Sequence, residues 1–525
     1  MTPDRAMTSP LITKSTYLKG RQCAKRLWLA SRKIAEPELE SEDVWEERQL
    51  EGAEVERFAE RLFPGGVSIE EGGSGSTIWN ELLRRTKDAL DGNAPIFQAH
   101  LQAGDLFAAV DILEPKDGGW FLWEVKASTY KRDEWAHVID WDLGFQVNAA
   151  RERGLTIVGA GVLMLNRDFV RGPNSIKADE LIVRVDRTEV VEGLLPTVVG
   201  ELKSMRKALA LPTVPLELPG SRCKAGRMSK DGRRASACGH IDASGECGRL
   251  LPPYWAGRLP RLTGAKETYV SGIPNLPIEQ LDPDDPVHRW TPHQLWVIEA
   301  VQSGEPYIDK PALRDALAHV EWPVAYIDFE FDPGVAVPRF EGCRPYDRIP
   351  FQWALVVQPA PGAPLDEPQA FLHLDETDPS RAFAESLLAA LPETGSLVAH
   401  HASAETSVLN RLAERLGGEL GDSLRALCSR FQDTEAISKA GYYHPDQQGS
   451  WSIKKLAPAL IGQGYDDLEI GNGMAAVMAW RKAIASDVVG KERERIRGEL
   501  LEYCGRDAEL MHGILEELRK LVATG

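Results

Sequence analysis

Long hydrophobic runs are absent from this sequence of 525 residues. The longest apolar stretch, LTIVGAGVLML at 155–165, is too short to span a bilayer and predicts a buried strand. Residues 1–20 contain no apolar core of the kind that a signal peptide has. We therefore expect a cytoplasmic protein that has no membrane partner.

Basic residues are also fewer than acidic ones. The chain has 61 Lys and Arg against 79 Asp and Glu, a net charge of −18. This excess of acid argues against a basic surface that coats nucleic acid over a large area. Local basic clusters at 19–26 and 221–234 nevertheless leave room for nucleic acid to bind in a confined groove.

Cysteine is scarce, with seven residues in the whole chain. Three are isolated in sequence and are expected to be buried structural thiols: Cys343, Cys428 and Cys504. The other four are Cys23, Cys223, Cys238 and Cys247. In a cytoplasmic protein a disulfide framework is not expected, so these four indicate a metal centre. Four ordinary buried cysteines remain the alternative.

Length and composition predict a globular α/β protein of two or three domains, since the chain is 43% hydrophobic and 27% charged. We assign the first domain to 1–250 and the last to 321–525. Prolines recur between 252 and 292, so 251–320 is interpreted as a Pro-rich connection with short helices.

The first candidate site lies on a predicted hairpin formed by GDLFAAVDILEP (104–115) and GWFLWEVKAST (119–129). Alternation along a strand puts Glu124 and Lys126 on one face, and the hairpin brings Asp111 close to them. Two neighbouring carboxylates repel unless a cation neutralises them. We therefore predict that Asp111 and Glu124 bind Mg²⁺ or Mn²⁺. Lys126 would orient or deprotonate the attacking water, or offset charge on the phosphate.

This pattern, an Asp followed by ExK on a hairpin after a helix, resembles the PD-(D/E)XK nuclease superfamily. The resemblance implies a restriction-endonuclease-like fold and metal-dependent cleavage of nucleic acid. It also implies catalytic roles for Glu56, on the preceding helix, and Gln146, on the following one. The alternatives are a solvated helix position for Glu56 and a polar helix face for Gln146.

A second candidate site combines a strand and a helix. In VAYIDFEFD (324–332), Asp328 and Glu330 share one face of an otherwise apolar strand, which is costly unless they are paired or bind metal. Asp507 lies in the apolar stripe of the last long helix, and Tyr503 precedes it by one turn.

The DxE strand and the YxxxD helix resemble the Tyr-containing branch of the DEDD exonucleases, which have an RNase H-like fold. Glu405 stands where that superfamily has its middle aspartate. The resemblance implies that Asp328, Glu330, Glu405 and Asp507 hold two metal ions. It also implies that Tyr503 orients the attacking water at the 3′ end of a single strand.

The cysteine order, one before the ExK hairpin and three after it, resembles the iron–sulfur nucleases of the CRISPR adaptation and AddAB types. It implies a 4Fe–4S cluster bound by Cys23, Cys223, Cys238 and Cys247, with structural Zn²⁺ as the alternative.

The whole chain resembles bacterial proteins that fuse these two nuclease types. It implies an exonuclease with two active sites that acts on single-stranded DNA or on RNA, in repair, CRISPR adaptation or phage defence. One alternative is that a single domain is catalytic. The other is a non-catalytic nucleic-acid-binding scaffold with decayed sites.

Overall fold

The computed structural model describes residues 10–36, 42–69, 76–130, 136–217, 223, 238–241, 245–252, 254–259, 276–286, 290–485 and 488–523. Internal contacts divide the chain into two compact units, Met1–Leu251 and Pro252–Gly525. Both units are mixed α/β, as predicted. The Pro-rich segment groups with the second unit, and its described parts before residue 290 contain short 3₁₀ turns and a β-bridge between Trp255 and Pro277.

The first unit is built on one curled sheet with helices packed against it. Its strands are β1 (Ile12–Thr13), β2 (Val67–Ser68), β3 (Ile96–Ala103), β4 (Leu106–Lys116), β5 (Gly119–Thr129), β6 (Ile157–Leu165) and β7 (Ile182–Asp186). Its helices are α1 (Lys14–Gln22), α2 (Ala24–Ser31), α3 (Glu42–Glu60), α4 (Ser76–Leu90), α5 (Ala136–Glu152), α6 (Ala178–Leu181) and α7 (Thr188–Leu209).

The sheet of the first unit has the order β2-β3-β4-β5-β6-β7, with β1 beside the start of β4. The hairpin of β4 and β5 turns at Asp117 and Gly118, whose positive φ angles suit a tight turn. β6 runs parallel to β5, and α5 forms the crossover between them. Apolar residues of α1, α5 and α7 join those of the strands in one core.

The second unit contains a five-stranded sheet, a two-stranded sheet and nine α-helices within its described part. Its strands are β8 (Tyr307–Ile308), β9 (Val324–Asp332), β10 (Ile349–Gln358), β11 (Gln369–Leu372), β12 (Ser396–Ala399), β13 (Phe431–Asp433) and β14 (Tyr442–Tyr443). The two-stranded sheet is formed by β8 and β14. Its helices are α8 (Pro292–Ser303), α9 (Lys310–Leu317), α10 (Ser380–Ala390), α11 (Ser403–Leu416), α12 (Gly418–Leu427), α13 (Thr434–Gly441), α14 (Ile453–Ile461), α15 (Gly473–Ile484) and α16 (Lys491–Ala523).

The five strands have the order β11-β10-β9-β12-β13, with β9 central. β10 is antiparallel to β9, whereas β12 is parallel to it and β13 is parallel to β12. Alternate residues of β9 enter different cores: Tyr326 packs with α16, and Ile327 packs with α10, α11 and α12. Since side chains alternate, Asp328 and Glu330 point to the same side as Tyr326, toward α16.

None of the described helices is both long and apolar enough to cross a membrane.

Candidate functional site

Three carboxylates of the second unit converge between β9 and α16. Asp328, Glu330 and Asp507 each offer an oxygen atom, and these atoms all lie within 4.8 Å of one another. In the described part of the chain this is the only such group of three His, Cys, Asp or Glu side chains. We call these three residues the acid cluster.

The fourth predicted acid, Glu405, lies in the first turn of α11 and is 4% exposed. Its Oε2 atom is buried and has no hydrogen-bond partner among the described residues. Burying a carboxylate oxygen without a hydrogen-bond donor is costly, so this atom is suited to binding a metal ion or accepting a hydrogen bond. Burial, with Asp328 nearby, raises the pKa of Glu405 to about 8.

The acid cluster is strongly destabilised when it is ionised. Burial raises the pKa of Asp328 to about 6. Burial and the neighbouring carboxylates raise the pKa values of Glu330 and Asp507 well above their ordinary range. Lys454 is the cation that faces Glu330 and Asp507, and burial lowers its own pKa. Several buried carboxylates with one nearby lysine form a site that suits hard divalent cations.

Tyrosine and cysteine side chains border the acid cluster. Tyr503 on α16 is buried, and burial together with Glu330 and Asp328 raises its pKa, so the phenol stays neutral. Tyr465 donates a hydrogen bond to Asp507 Oδ1. The thiol of Cys504 lies 3.4 Å from Asp328 Oδ2. Lys454 Nζ lies 5.2 Å from the ring centre of Tyr465 and 5.6 Å from that of Tyr503.

The first unit brings Asp111 and Glu124 together where β4 and β5 separate. The ladder between these strands ends at the pair Ile112 and Trp123. Beyond this pair, Asp111 Oδ2 accepts a hydrogen bond from the backbone N–H of Val125 at 2.7 Å. The Asp111 side chain therefore takes the place of a backbone acceptor where the two strands no longer pair. Glu124, next to Val125 on β5, is 1% exposed.

Two lysines and an amide surround Glu124. Oε1 accepts hydrogen bonds from Lys126 Nζ and, at 2.7 Å, from Lys14 Nζ. Oε2 accepts one from Gln146 Nε2 at 2.6 Å. The Gln146 amide also reaches Asp142 Oδ1 at 3.1 Å, and Lys126 reaches Asp142 Oδ2 at 3.1 Å. The predicted residues Glu124, Lys126 and Gln146 therefore form one hydrogen-bonded network.

The charges of this network are largely balanced. Burial alone would raise the pKa of Glu124, but Lys126 and Lys14 lower it to about 2. Burial and Glu124 raise the pKa values of Asp111 and Asp142. The amide oxygen of Gln146 is buried without a partner among the described residues, which leaves one acceptor open in the site. Two lysines offset most of the charge of the three carboxylates, so repulsion among the carboxylates is weaker here than in the acid cluster.

Glu56, the predicted residue of the preceding helix, lies on α3 and accepts a hydrogen bond from Gln98 Nε2 at 3.1 Å. The register of β3 and β4 places Gln98 opposite Asp111, between the pairs Phe97–Ile112 and Ala99–Val110. Glu56 is therefore connected to the strand position next to Asp111 through Gln98.

The four predicted cysteines line one cavity, about 360 Å³ including its solvent-open part. None of the four forms a disulfide bond within the described residues, and the Cys238 N–H donates to the Cys223 carbonyl at 3.1 Å. Burial raises the pKa of Cys23, and it raises that of Cys238 to about 12. No three of their sulfur atoms lie within 4.8 Å of one another. A tetrahedral Zn²⁺ with Zn–S near 2.3 Å needs sulfurs about 3.8 Å apart, closer than any three of these lie.

Contacts around Glu36 connect the two ends of the first unit at this cavity. Arg26 Nη2 donates to Glu36 Oε1 at 2.6 Å, and the N–H of Gly239 donates to the same atom at 2.9 Å. His240 lines the cavity and is 2% exposed, and its Nδ1 has no partner among the described residues. The cavity therefore offers one nitrogen beside four thiols.

Residues 325–452 match a family described as Domain of unknown function (DUF2779). The matched segment, less than half of the chain, contains Asp328, Glu330 and Glu405 and ends before Tyr503 and Asp507. No curated protein matches the chain.

Sequence patterns alone missed Asp142 and Lys14. Asp142 precedes Gln146 by four residues on α5, so the i, i+4 spacing was the signal that could have found it. Lys14 carries no such signal. β1 pairs with the start of β4, on the side where β5 no longer pairs with β4. Lys14 directly follows β1 and therefore reaches Glu124.

Proposed function

We propose that the chain is a metal-dependent nuclease that hydrolyses phosphodiester bonds at two sites. In this proposal the second unit is a DEDD-type exonuclease with an RNase H-like fold, and the first is a PD-(D/E)XK nuclease. The observation that carries the proposal is the convergence of Asp328, Glu330 and Asp507 within 4.8 Å, with few compensating cations. A protein gains nothing in stability from such a cluster unless a cation binds there.

At the second site, Asp328, Glu330, Asp507 and Glu405 would hold Mg²⁺ or Mn²⁺. The ions would supply Lewis acidity and a water of lowered pKa. Tyr503 stays neutral at physiological pH, so its hydroxyl can hold a water by donating or accepting a hydrogen bond. Lys454 lies over the rings of Tyr465 and Tyr503, where its charge can offset that of a bound phosphate.

At the first site, Asp111 and Glu124 would be the metal ligands, and the bound ion would activate water for attack on phosphorus. Lys126 stays protonated, since Glu124 and Asp142 raise its pKa despite burial. It therefore acts in this proposal by offsetting phosphate charge and not by removing a proton. Gln146 holds Glu124 and Asp142 in place through its amide group.

Cys23, Cys223, Cys238 and Cys247 would bind a 4Fe–4S cluster, with Zn²⁺ as the alternative metal. The role proposed for this centre is structural, since it would join the segment around α2 to the segment around Gly239. The substrate proposed is the end of single-stranded DNA, with RNA as the second possibility.

The test is degradation of end-labelled single-stranded DNA and RNA in Mn²⁺ by protein purified without oxygen. Wild type is compared with Lys126→Ala, Asp328→Asn and the surface control Glu385→Gln, whose side chain is 59% exposed on α10. We expect Lys126→Ala and Asp328→Asn each to remove a different set of products. If only one of them changes the products, one unit is catalytic. If wild type binds but cleaves nothing, the scaffold alternative holds.

A further inference from the structure

A cavity lined by arginines lies at the end of β9, beyond the acid cluster. It measures about 320 Å³ including its solvent-open part, and its lining includes Asp332, Arg339, Phe340, Arg344, Asp347 and Trp480. Most of these residues belong to the segment between β9 and β10, residues 333–348, which we call the arginine loop.

The backbone of the arginine loop is held by its own hydrogen bonds. The N–H of Gly334 donates to Asp332 Oδ1 at 2.8 Å, and the N–H of Tyr346 donates to the Val335 carbonyl at 3.0 Å. Gly334 has φ +89°, and a Cβ there would lie 2.4 Å from the Asp347 carbonyl oxygen. The two ends of the loop therefore touch at a position that requires glycine.

Two of the arginines that line the cavity take no part in its ion pairs. Asp332 forms a two-point ion pair with Arg481 at 2.8 and 2.6 Å. Asp347 forms one with Arg411 at 2.8 and 3.0 Å. Both acids lining the cavity are therefore neutralised by partners outside the loop. Burial raises the pKa of Asp332, and Arg339 lies close enough to that carboxyl to offset part of the rise. Neither Arg339 nor Arg344 forms an ion pair within the described residues, so the lining holds two arginines whose donor groups are available to a ligand.

This positive cavity is next to the negative acid cluster. Asp332 follows Glu330 by two residues along β9, a distance of about 6.6 Å at the usual rise of a strand. At its other end the loop carries Arg348, whose Nη1 lies 3.5 Å from the carbonyl oxygen of Ala404, beside Glu405. The arginine loop thus extends from β9, which carries Asp328 and Glu330, to the neighbourhood of Glu405.

We propose that Arg339 and Arg344 bind a phosphate of the nucleic-acid strand, next to the phosphate that is cleaved at the acid cluster. This inference rests on the proposed function and adds the direction in which the strand leaves the second site. Guanidinium groups suit this task because their planar donor fork matches two phosphate oxygens. The metal ions and the arginines would then hold neighbouring phosphates of one strand.

The first test measures the salt dependence of binding for a fluorescein-labelled oligothymidylate, with Ca²⁺ replacing Mg²⁺. Full-length wild type is compared with the double variant Arg339→Gln/Arg344→Gln. Each lost phosphate contact should reduce the slope of log K against log salt by about 0.7. The affinity at low salt should fall about tenfold. The control Arg381→Gln removes an arginine that is 62% exposed on α10 and should leave the slope unchanged.

A second test replaces single phosphates of the same oligothymidylate with neutral methylphosphonates, one linkage at a time. We expect one linkage at which the replacement weakens binding to wild type about tenfold but has no further effect on the double variant. Such loss of additivity identifies a direct contact. A general folding defect would weaken binding at every linkage, and equal melting temperatures exclude it.

The outcomes separate this inference from the function that it rests on. A reduced salt slope without any cleavage by wild type would support the phosphate site and reject the nuclease. Cleavage that Asp328→Asn abolishes, together with an unchanged slope in the double variant, would support the nuclease and overturn the phosphate site.

Discussion

Asp328 on β9 and Asp507 on α16 bring carboxylate oxygens within 4.8 Å of each other, although they lie far apart in the sequence of the second unit. Each raises the pKa of a buried acidic neighbour: Asp328 that of Asp507, and Asp507 that of Glu330. Folding alone gains nothing from this repulsion. The relationship is the physical basis of the metal centre proposed for the second unit.

Glu405 tests whether an acid from α11 completes this centre. Its Oε2 is buried without a partner among the described residues, so a bound ion would be its natural partner. We expect Glu405→Gln to lower cleavage by the second site about a hundredfold. Glu405→Asp should retain part of the activity, because the carboxylate survives on a shorter side chain. Equal rates for wild type and Glu405→Gln would remove Glu405 from the site.

The metal-free protein should lose stability as the pH rises. The pKa values of Asp328 and Glu405 are about 6 and about 8, above the ordinary values near 4. Between the ordinary and the raised values the folded chain holds protons that the unfolded chain has released. The free energy of unfolding therefore falls as pH increases from about 4 to about 8.

Thermal unfolding in EDTA at a series of pH values measures this effect. The metal-free variant Asp328→Asn should be more stable than metal-free wild type at pH 8, with a smaller difference at pH 5. Mn²⁺ should restore wild type more than the variant. Parallel pH curves for wild type and Asp328→Asn would show that ionisation of Asp328 does not destabilise the metal-free fold.

Lys14 should contribute to the first site. Its ammonium group lies 2.7 Å from Glu124 Oε1, the atom that Lys126 also contacts. We expect Lys14→Met to reduce the cleavage that depends on Lys126 by ten- to a hundredfold, since one charge facing the phosphate is lost. Lys177→Met, at a position that is 70% exposed, is the matched control. Full activity of Lys14→Met would remove Lys14 from the site.

The four cysteines that line one cavity should act as a unit. Replacing any of Cys23, Cys223, Cys238 or Cys247 by Ser should remove the bound iron or zinc and lower the melting temperature by several degrees. Metal analysis and the visible absorption of anaerobic protein distinguish the two metals. Cys428→Ser, which changes a half-buried thiol of the second unit, should retain the metal. A metal content that survives Cys238→Ser would contradict the assignment.

Local patterns predicted much of this architecture. Alternation in GWFLWEVKAST and VAYIDFEFD identified β5 and β9, and helical spacing identified α16 with Tyr503 and Asp507 on its buried face. These signals depend on neighbours within a few residues, so one sequence is enough to read them. The nuclease activity, its metals and its nucleic-acid partner stay predictions.

Long-range packing explains what the sequence could not show. Lys14 is 110 residues from Glu124, and only the pairing of β1 with β4 brings them together. The arginine loop depends on ion pairs to Arg481 and Arg411, which lie far from it in sequence. Such contacts have no local period, so no spacing rule identifies them.

Direct measurement of Mn²⁺ binding tests the metal centre proposed for the second unit. Titration of wild type, Asp328→Asn and the double variant Glu330→Gln/Asp507→Asn, followed by electron paramagnetic resonance of the free ion, counts the bound ions. We expect that both second-unit variants lose the ions held there and keep those of the first unit. Identical binding curves for all three proteins would show that Asp328, Glu330 and Asp507 hold no metal.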